Sequence, residues 1–300
     1  MATLHNNVVP ASGGGGTVWL GDRGIFAGGT GIYDIDYISI STAGNASDFG
    51  DLIAGAKEHP AGLSNGTRGV ISGGYNGSMR DMEYITIATT GNATDFGDLT
   101  VARYRVGGGA SNETRGLTFG GKDAGFNAVN IIDYITIATT GNAIDFGNLL
   151  AATYQTAGCS DGSRGVVGGG KSGGISNVMQ YVTMDTTGNA TDFGDLTVAR
   201  FGLAACADAT RGIFGGDYFL SSANIIDYIT IQSTGNATDF GDLTVARFGL
   251  AACSDGTYGV FGGGGGGNVI DYVTIQTTSN ATDFGDLVVS REDLCGFSGN

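Results

Sequence analysis

The hydrophobic and polar positions of this chain follow one pattern that is repeated six times. In each copy a nearly continuous apolar run of the form I-I-D-Y-I-T-I is followed by a polar segment of the form T-T-G-N-A and then by D-F-G-D-L. The tyrosine of this pattern stands at Tyr37, Tyr84, Tyr134, Tyr181, Tyr228 and Tyr272. The phenylalanine follows twelve residues later at Phe49, Phe96, Phe146, Phe193, Phe240 and Phe284. An internal repeat with a period of about 47 residues indicates a propeller or a solenoid.

Each copy contains four segments with the composition of β-strands. They have the forms R-G-[VIL]-[FV]-x-G-G, I-I-D-Y-I-T-I, D-F-G-D-L and F-G-L-A-A-C. Gly-Asn, Asp-Gly and Gly-Gly pairs separate them at hairpin positions. The apolar runs are too short for helices, and no sustained period of 3.6 residues is present, so we expect almost no helix.

Strands that are apolar on both faces need cover on both faces, and sheets packed radially against each other provide it. We therefore predict an all-β fold, a six-bladed β-propeller of four-stranded antiparallel blades over residues 17–300, preceded by a short N-terminal arm at residues 1–16. A linear β-solenoid is the alternative, but its coils are usually shorter and it needs distinct caps. We expect the recurring glycine doublets to lie in inner strands that converge on a crowded axis.

Closure of the ring has two solutions in the sequence. The segment 17–20 (T-V-W-L) and the segment 294–298 (L-C-G-F-S) both align with the same strand of a blade. We expect the N-terminal strand around Trp19 to complete blade one. The C-terminal segment would then pack alongside it or lead to a partner.

The acidic composition narrows the classes of partner. The chain carries 29 Asp and Glu against 14 Lys and Arg, a net charge of −15. Such a surface repels phosphate backbones, so we expect no nucleic-acid partner. No apolar run approaches the length of about 20 residues that a membrane span requires, and the first residues lack the pattern of a signal peptide, so we expect no membrane association. Cys159, Cys206 and Cys253 recur at one position of successive copies, which predicts small buried residues without disulfides.

Catalytic chemistry has little support in the sequence. His5 and His59 are the two histidines, one in the arm and one in an irregular loop, and no nucleophile–base set recurs beside them. We therefore predict no enzyme, no catalytic residues, no cofactor and no metal site, although the abundant Asp leaves a carboxylate-pair hydrolase open as an alternative. The recurring N-A-T-D-F-G-D segment is compatible with a calcium loop, or with carboxylates that cap turns and pair with the recurring arginines.

One connection carries nearly all the differences between the copies. The stretch from the glycine doublet to the tyrosine ranges from about eight to thirteen residues, whereas the tyrosine-to-phenylalanine spacing never changes. Loops on a rigid scaffold are where binding residues usually lie. The candidate binding residues are therefore the aromatic residues of this connection, Tyr33, Tyr75, Phe126, Tyr218 and Phe219. Neutral drift of loop tips is the alternative explanation.

Two family resemblances follow from these motifs. The glycine doublet, the tyrosine and an aromatic residue followed by L-T-V-A-R-F-G-L-A-A resemble the kelch repeat of β-propellers over all six copies, with Phe in place of the kelch Trp and a longer tyrosine-to-aromatic spacing. The G-N-A-T-D-F-G-D-L segment is similar to repeat proteins of marine bacteriophages. The first resemblance implies a kelch-like propeller, and the second implies a virion fibre or surface protein.

These inferences lead to a non-enzymatic virion surface protein, either a capsid decoration or a tail-fibre component, that adheres to the host. The arm at residues 1–16 would contact other virion proteins, a homo-oligomer would suit such an assembly, and a host-surface glycan would be the ligand. The alternatives are a carbohydrate- or protein-binding propeller outside a virion and, third, a kelch-like enzyme such as a sugar isomerase or oxidase. An enzyme needs a site with residues unique to one or two blades, and the sequence shows none.

Overall fold

The computed structural model describes residues 21–75, 79–218 and 224–300, and within these residues the chain forms strands and turns but no helix. The strands of the first half are β1 (Arg23–Ala27), β2 (Asp34–Ser39), β3 (Ser47–Asp51), β4 (Ala61–Ser64), β5 (Arg68–Ser72), β6 (Asp81–Thr86), β7 (Thr94–Asp98), β8 (Arg103–Tyr104), β9 (Gly109–Ser111), β10 (Arg115–Phe119), β11 (Lys122–Asp123), β12 (Ile131–Thr136) and β13 (Ile144–Asn148). Those of the second half are β14 (Ala157–Ser160), β15 (Arg164–Gly168), β16 (Lys171–Ser172), β17 (Gly174–Ile175), β18 (Val178–Thr183), β19 (Thr191–Asp195), β20 (Ala204–Ala207), β21 (Arg211–Gly215), β22 (Ile225–Thr230), β23 (Thr238–Asp242), β24 (Ala251–Ser254), β25 (Tyr258–Gly262), β26 (Val269–Thr274), β27 (Thr282–Asp286) and β28 (Cys295–Gly299).

Six four-stranded antiparallel sheets form the blades of a propeller. From the inner to the outer strand, blades one to six are β28-β1-β2-β3, β4-β5-β6-β7, β9-β10-β12-β13, β14-β15-β18-β19, β20-β21-β22-β23 and β24-β25-β26-β27. Two further sheets of two short strands each are present: β8, in the link before blade three, pairs with β11, and β16 forms a hairpin with β17 in blade four. The predicted six-bladed fold is confirmed. None of the described residues belongs to a helix that could cross a membrane.

The ring closes through the C-terminal strand. β28 pairs antiparallel with β1, with Cys295 opposite Ala27 and Gly299 opposite Arg23, and so supplies the inner strand of blade one. The expectation that the N-terminal strand completes this blade is therefore wrong. Trp19 lies outside the described residues. Blade one combines both ends of the repeat array, which joins the first and last repeats by backbone hydrogen bonds.

The inner strands carry small residues rather than the glycine doublets. Their sequences are C-G-F-S-G, A-G-L-S, G-A-S, A-G-C-S, A-A-C-A and A-A-C-S in blades one to six. Each doublet instead lies at or directly after the end of the second strand, as in blade one, where Gly28 and Gly29 have φ angles of 70° and 132°. The expectation for the doublets is therefore wrong, because they serve a left-handed turn that side chains disfavour. Cys159, Cys206 and Cys253 are buried and free, as predicted, and so is Cys295 in the inner strand of blade one.

The most constant segment of the repeat is the joint between neighbouring blades. Gly91 N donates to Phe49 O at 2.8 Å, and Asp51 N donates to Asn92 Oδ1 at 3.1 Å, which links the outer strand of blade one to the G-N-A turn of blade two. A Cβ at Gly50 would lie 2.5 Å from the backbone of Gly91. The same asparagine contact closes the ring from Asp286 N to Asn45 Oδ1 at 3.1 Å. These asparagines therefore hold the G-N-A turns against the neighbouring blade.

The arginine that begins the second strand has the same two contacts in blades one to five. Its guanidinium stacks on the tyrosine of its own blade at 4.2–4.8 Å from the ring centroid. It also donates to a carbonyl of the next blade, as Arg23 does to Ile87 O at 2.8 Å. In blade six Tyr258 takes this place and packs edge-on against Tyr272 at 5.6 Å.

A second set of arginines forms buried ion pairs with the aspartate of the D-Y element. The N···O distances are 2.7 Å for Arg103–Asp133, 2.7 Å for Arg200–Asp227 and 2.6 Å for Arg247–Asp271, and Arg291 pairs with Asp36. Blade two substitutes Lys57–Glu83 at 3.5 Å, and blade four has the uncharged Thr153 and Gln180 at these positions. Pairing with the D-F-G-D carboxylates was therefore the wrong expectation, because those side chains lie at the outer edge of the blades. The described residues hold no group of three or more His, Cys, Asp or Glu suited to a metal ion.

Candidate functional site

The variable connections and the T-V-A-R-F-G links lie on one face of the propeller. In every blade the first loop residue after the glycine doublet, or its equivalent, pairs with a link residue through the backbone, as Tyr75 N does with Glu58 O at 3.0 Å and Tyr218 N with Phe201 O at 2.9 Å. The turns between the first and second strands and between the third and fourth strands lie on the opposite face. We call the first of these faces the variable face. Nearly all of the length variation among the repeats is concentrated there.

Three rings of equivalent positions build the centre of the variable face. The axial ring is separated from the start of the inner strands by one to three residues and consists of Asp293, His59, Arg105, Gln155, Gly202 and Gly249. The link ring precedes it by one residue and consists of Glu292, Glu58, Tyr104, Tyr154, Phe201 and Phe248. The loop ring pairs with the link ring and consists of Thr30, Tyr75, Lys122, Lys171, Tyr218 and Gly265. Each ring holds different residue types in equivalent places, whereas the joints beneath are nearly invariant.

The axial ring has a left-handed backbone in all six blades. The φ angles are 69° and 62° at Gly202 and Gly249, and they lie between 48° and 62° at the four other residues. Five backbone hydrogen bonds connect the six residues in series, among them Gly249 N to Gly202 O at 2.8 Å and His59 N to Asp293 O at 2.7 Å. Non-glycine residues in this conformation cost free energy, and such strain is concentrated at functional sites.

Four of the five predicted binding residues lie exposed on this face. Tyr33, Tyr75, Phe126 and Tyr218 are between 47% and 65% exposed. Phe219 lies outside the described residues. The structure places Tyr75 and Tyr218 in the loop ring.

Three of the four exposed aromatic residues, Tyr75, Phe126 and Tyr218, belong to two separate groups, and Tyr33 is in neither. Tyr104 contacts Tyr75 at 5.2 Å and Phe126 at 5.9 Å between ring centroids. A second group centres on Tyr218, which contacts Phe201 at 4.9 Å and Phe248 at 4.2 Å. The variable connection lengths therefore predicted part of this aromatic surface. The supporting residues Tyr104, Phe201 and Phe248 were not predicted, because the link between blades resembles a strand-forming segment of the repeat.

Two lysines lie between these aromatic groups. Lys122 Nζ is 4.4 Å from the ring centroid of Tyr154, and Lys171 Nζ is 5.2 Å from that of Phe201. Such cation–π contacts hold the ammonium groups over the link ring. Blades three and four thus form a cationic and aromatic sector, whereas blades one and two contribute Glu292, Asp293 and Glu58. Burial, followed by the charge of Asp293, raises the pKa of Glu292.

A cluster of three polar side chains joins distant blades in the axial ring. His59 Nε2 lies 2.6 Å from Asp293 Oδ1 and 2.6 Å from Gln155 Nε2, and all three residues are buried. The sequence alone places His59 in an irregular loop and shows no asymmetric set of residues. The missed signal was the glycine of F-G-L, which is replaced by a polar residue in four of the six copies.

The chain matches no family model and no curated protein sequence. The evidence for the six-bladed propeller is therefore the structure itself. The resemblances to kelch repeats and to phage proteins are limited to short sequence motifs.

Proposed function

We propose that this chain is a non-enzymatic β-propeller of a virion surface, a capsid decoration or tail-fibre component, that binds host carbohydrate through its variable face. The observation that carries the adhesion part is the grouping of exposed Tyr75, Phe126 and Tyr218 around link-ring aromatics on a single face. The similarity of the G-N-A-T-D-F-G-D-L segment to repeat proteins of marine bacteriophages supports the virion location.

The aromatic groups suit carbohydrate because of their shape and surroundings. Flat aromatic rings present apolar faces to the C–H groups of a sugar ring, and Tyr supplies a hydroxyl group at its edge. They also provide contact area at a low cost in side-chain entropy. Lys122, Lys171 and the link-ring glutamates place charged groups beside these faces, where they can hydrogen-bond hydroxyl groups.

Tyr218→Ala tests the binding face. We expect this variant to lose at least about tenfold in affinity for the bound members of a panel of bacterial surface polysaccharides, measured by biolayer interferometry, because the ring packs between two aromatics and is half exposed. Thr90→Ala on the opposite face is the control and should bind as the wild type. Equal affinities of the wild type, Tyr218→Ala and Thr90→Ala would contradict the proposal that the variable face binds carbohydrate.

Deletion of residues 1–16 tests the virion location. If this arm contacts other virion proteins, the truncated chain should be absent from assembled particles by mass spectrometry while its melting temperature is unchanged. Incorporation of the truncated chain at wild-type copy number would contradict a docking role of the arm. Absence of the full-length chain from every particle would contradict the virion location and leave the glycan-binding test unaffected.

A further inference from the structure

A cavity of about 170 Å³ lies on the propeller axis between the six inner strands. Its walls are small residues such as Gly158, Ala205 and Gly296. Each inner strand pairs with its blade along one edge only, so its second edge and that edge's backbone N–H and C=O groups face the axis. The volume corresponds to about six water molecules, well below that of a pocket for a drug-sized ligand.

The cavity has a polar group at each end. Serine hydroxyls lie at the end where the inner strands finish, and several donate to a carbonyl of the preceding blade, as Ser298 Oγ does to Ser254 O at 2.6 Å. His59, Gln155 and Thr156 lie at the opposite end, beside the axial ring. The hydrogen-bonding groups are therefore distributed over the length of the cavity.

The polar lining consists of hydroxyl, amide and imidazole groups. Within the described part of the chain, no Asp, Glu, Lys or Arg side chain lines the cavity, although the chain carries a net charge of −15. The polar side chains are hydroxyls, amides and one imidazole, at Ser64, Ser111, Ser160, Ser254, Ser298, Thr156, Asn112, Gln155 and His59. A buried charged ligand without a counter-charge has a high desolvation cost, so this lining favours a neutral ligand.

Two buried atoms at the His59 end have no hydrogen-bond partner within the protein. They are Gln155 Oε1 and Thr156 Oγ1, in residues that are 3% and 6% exposed. A buried polar atom left unpaired costs about 1–3 kcal/mol, so such an atom calls for an explanation. Both residues line the cavity, but the two oxygens themselves have almost no accessible surface, so a side-chain rotation must turn each of them toward a ligand hydroxyl group.

The backbone adds a second and independent observation. His59 and Gln155 have φ angles of 48° and 55° at positions where blades five and six have Gly202 and Gly249. Glycine adopts this conformation without strain, so the polar side chains are kept at the expense of stability. The two residues also contact each other across blades two and four, with 2.6 Å between their Nε2 atoms.

We propose that the axial cavity is a binding site for a small neutral polyhydroxylated compound, between glycerol and a single pyranose in size. Gln155 and Thr156 hydrogen-bond its hydroxyl groups, and His59 positions the amide of Gln155. The site does not depend on the aromatic groups of the variable face, so its test is independent of the test of the proposed function.

Titration of the full chain with glycerol, methyl α-glucoside, gluconate and glucosamine, followed by ligand-observed NMR and calorimetry, tests this site. At least one neutral probe should bind saturably, and the charged probes should bind at least about tenfold more weakly. Gln155→Gly should weaken binding of that neutral probe by at least about tenfold, because it removes one side-chain hydrogen bond. Its melting temperature should be equal to or above that of the wild type, because glycine relieves the backbone strain.

Arg105→Gly is the matched control, since Arg105 occupies the same left-handed position with a φ of 48° but does not line the cavity. It should bind the neutral probe as the wild type does. Thr156→Val, which keeps the side-chain shape and removes Oγ1, should also weaken binding. No saturable binding of any neutral probe would show a cavity that holds solvent only and would overturn the proposal. Binding by Gln155→Gly at wild-type strength, equal loss in Arg105→Gly, or equal affinity for charged probes would also overturn it.

Discussion

At the scale of single residues, the four arginine–aspartate pairs show what one missing hydroxyl does. Thr100, Thr197 and Thr244 donate their hydroxyls to the Oδ1 atoms of the paired aspartates at 2.5–2.6 Å. Val288 replaces this threonine in the link to blade one, and Asp36 Oδ1 is buried without a hydrogen-bond partner. Burial raises the pKa of Asp36, and the charge of Arg291 only partly opposes the shift.

Val288→Thr should therefore stabilise the protein by about 1 kcal/mol at pH 7, measured by urea unfolding, because the threonine hydroxyl can donate the missing hydrogen bond to Asp36 Oδ1. A raised folded-state pKa means that ionised Asp36 costs stability above that pKa and that the cost is relieved as the pH falls through it. The gain should accordingly shrink in acid as the carboxyl group is protonated. Val245→Thr, an exposed link position, is the control and should change the free energy of unfolding little. A gain of equal size in both variants, or one independent of pH, would contradict this account.

At the scale of elements, the contact between the outer strand of one blade and the G-N-A turn of the next blade is repeated around the ring. The Phe of D-F-G is an extra residue in the outer strand, because Ile35 pairs with Gly50 and Asp36 with Asp48. This bulge recurs in all six blades and explains why the tyrosine-to-phenylalanine spacing never varies. The D-F-G segment is thus a packing motif.

Gly97→Ala tests this joint. A Cβ there would lie 2.6 Å from the backbone of Gly141, and the φ of 136° disfavours side chains, so we expect a loss of more than about 2 kcal/mol in the free energy of unfolding. Gly188→Ala is the control, because its Cβ would meet nothing within 4 Å. Similar unfolding midpoints for the two variants in urea would show that the joint contributes little.

At the scale of the whole molecule, the ring depends on β28. Deletion of residues 294–300 removes the inner strand of blade one and leaves the second edge of β1 unpaired, so we expect loss of the cooperative thermal transition seen by circular dichroism. Deletion of residues 1–16 is the control and should leave the transition in place. A propeller that melts as the wild type does without residues 294–300 would contradict closure through the C-terminal strand.

Sequence reasoning predicted the blades because each repeat contains its own four strands and turns. It failed at closure because Trp19 and Phe297 lie in segments that align equally well with one strand, and pairing between distant residues leaves no local signal. It failed at the arginine partners because each repeat offers several aspartates. It missed His59, Gln155 and Asp293 because a left-handed backbone is visible in a sequence only where glycine marks it, and because their contact joins three blades.

The central claim is that one face of the propeller binds and the other does not. Hydroxyl-radical footprinting of the full chain, with and without a bound surface polysaccharide, tests it most directly. We predict protection of Tyr75, Phe126 and Tyr218, with unchanged labelling of the outer strands and of the turns on the opposite face. Protection confined to those strands or turns, with the three aromatic residues labelled as in the free protein, would contradict the claim.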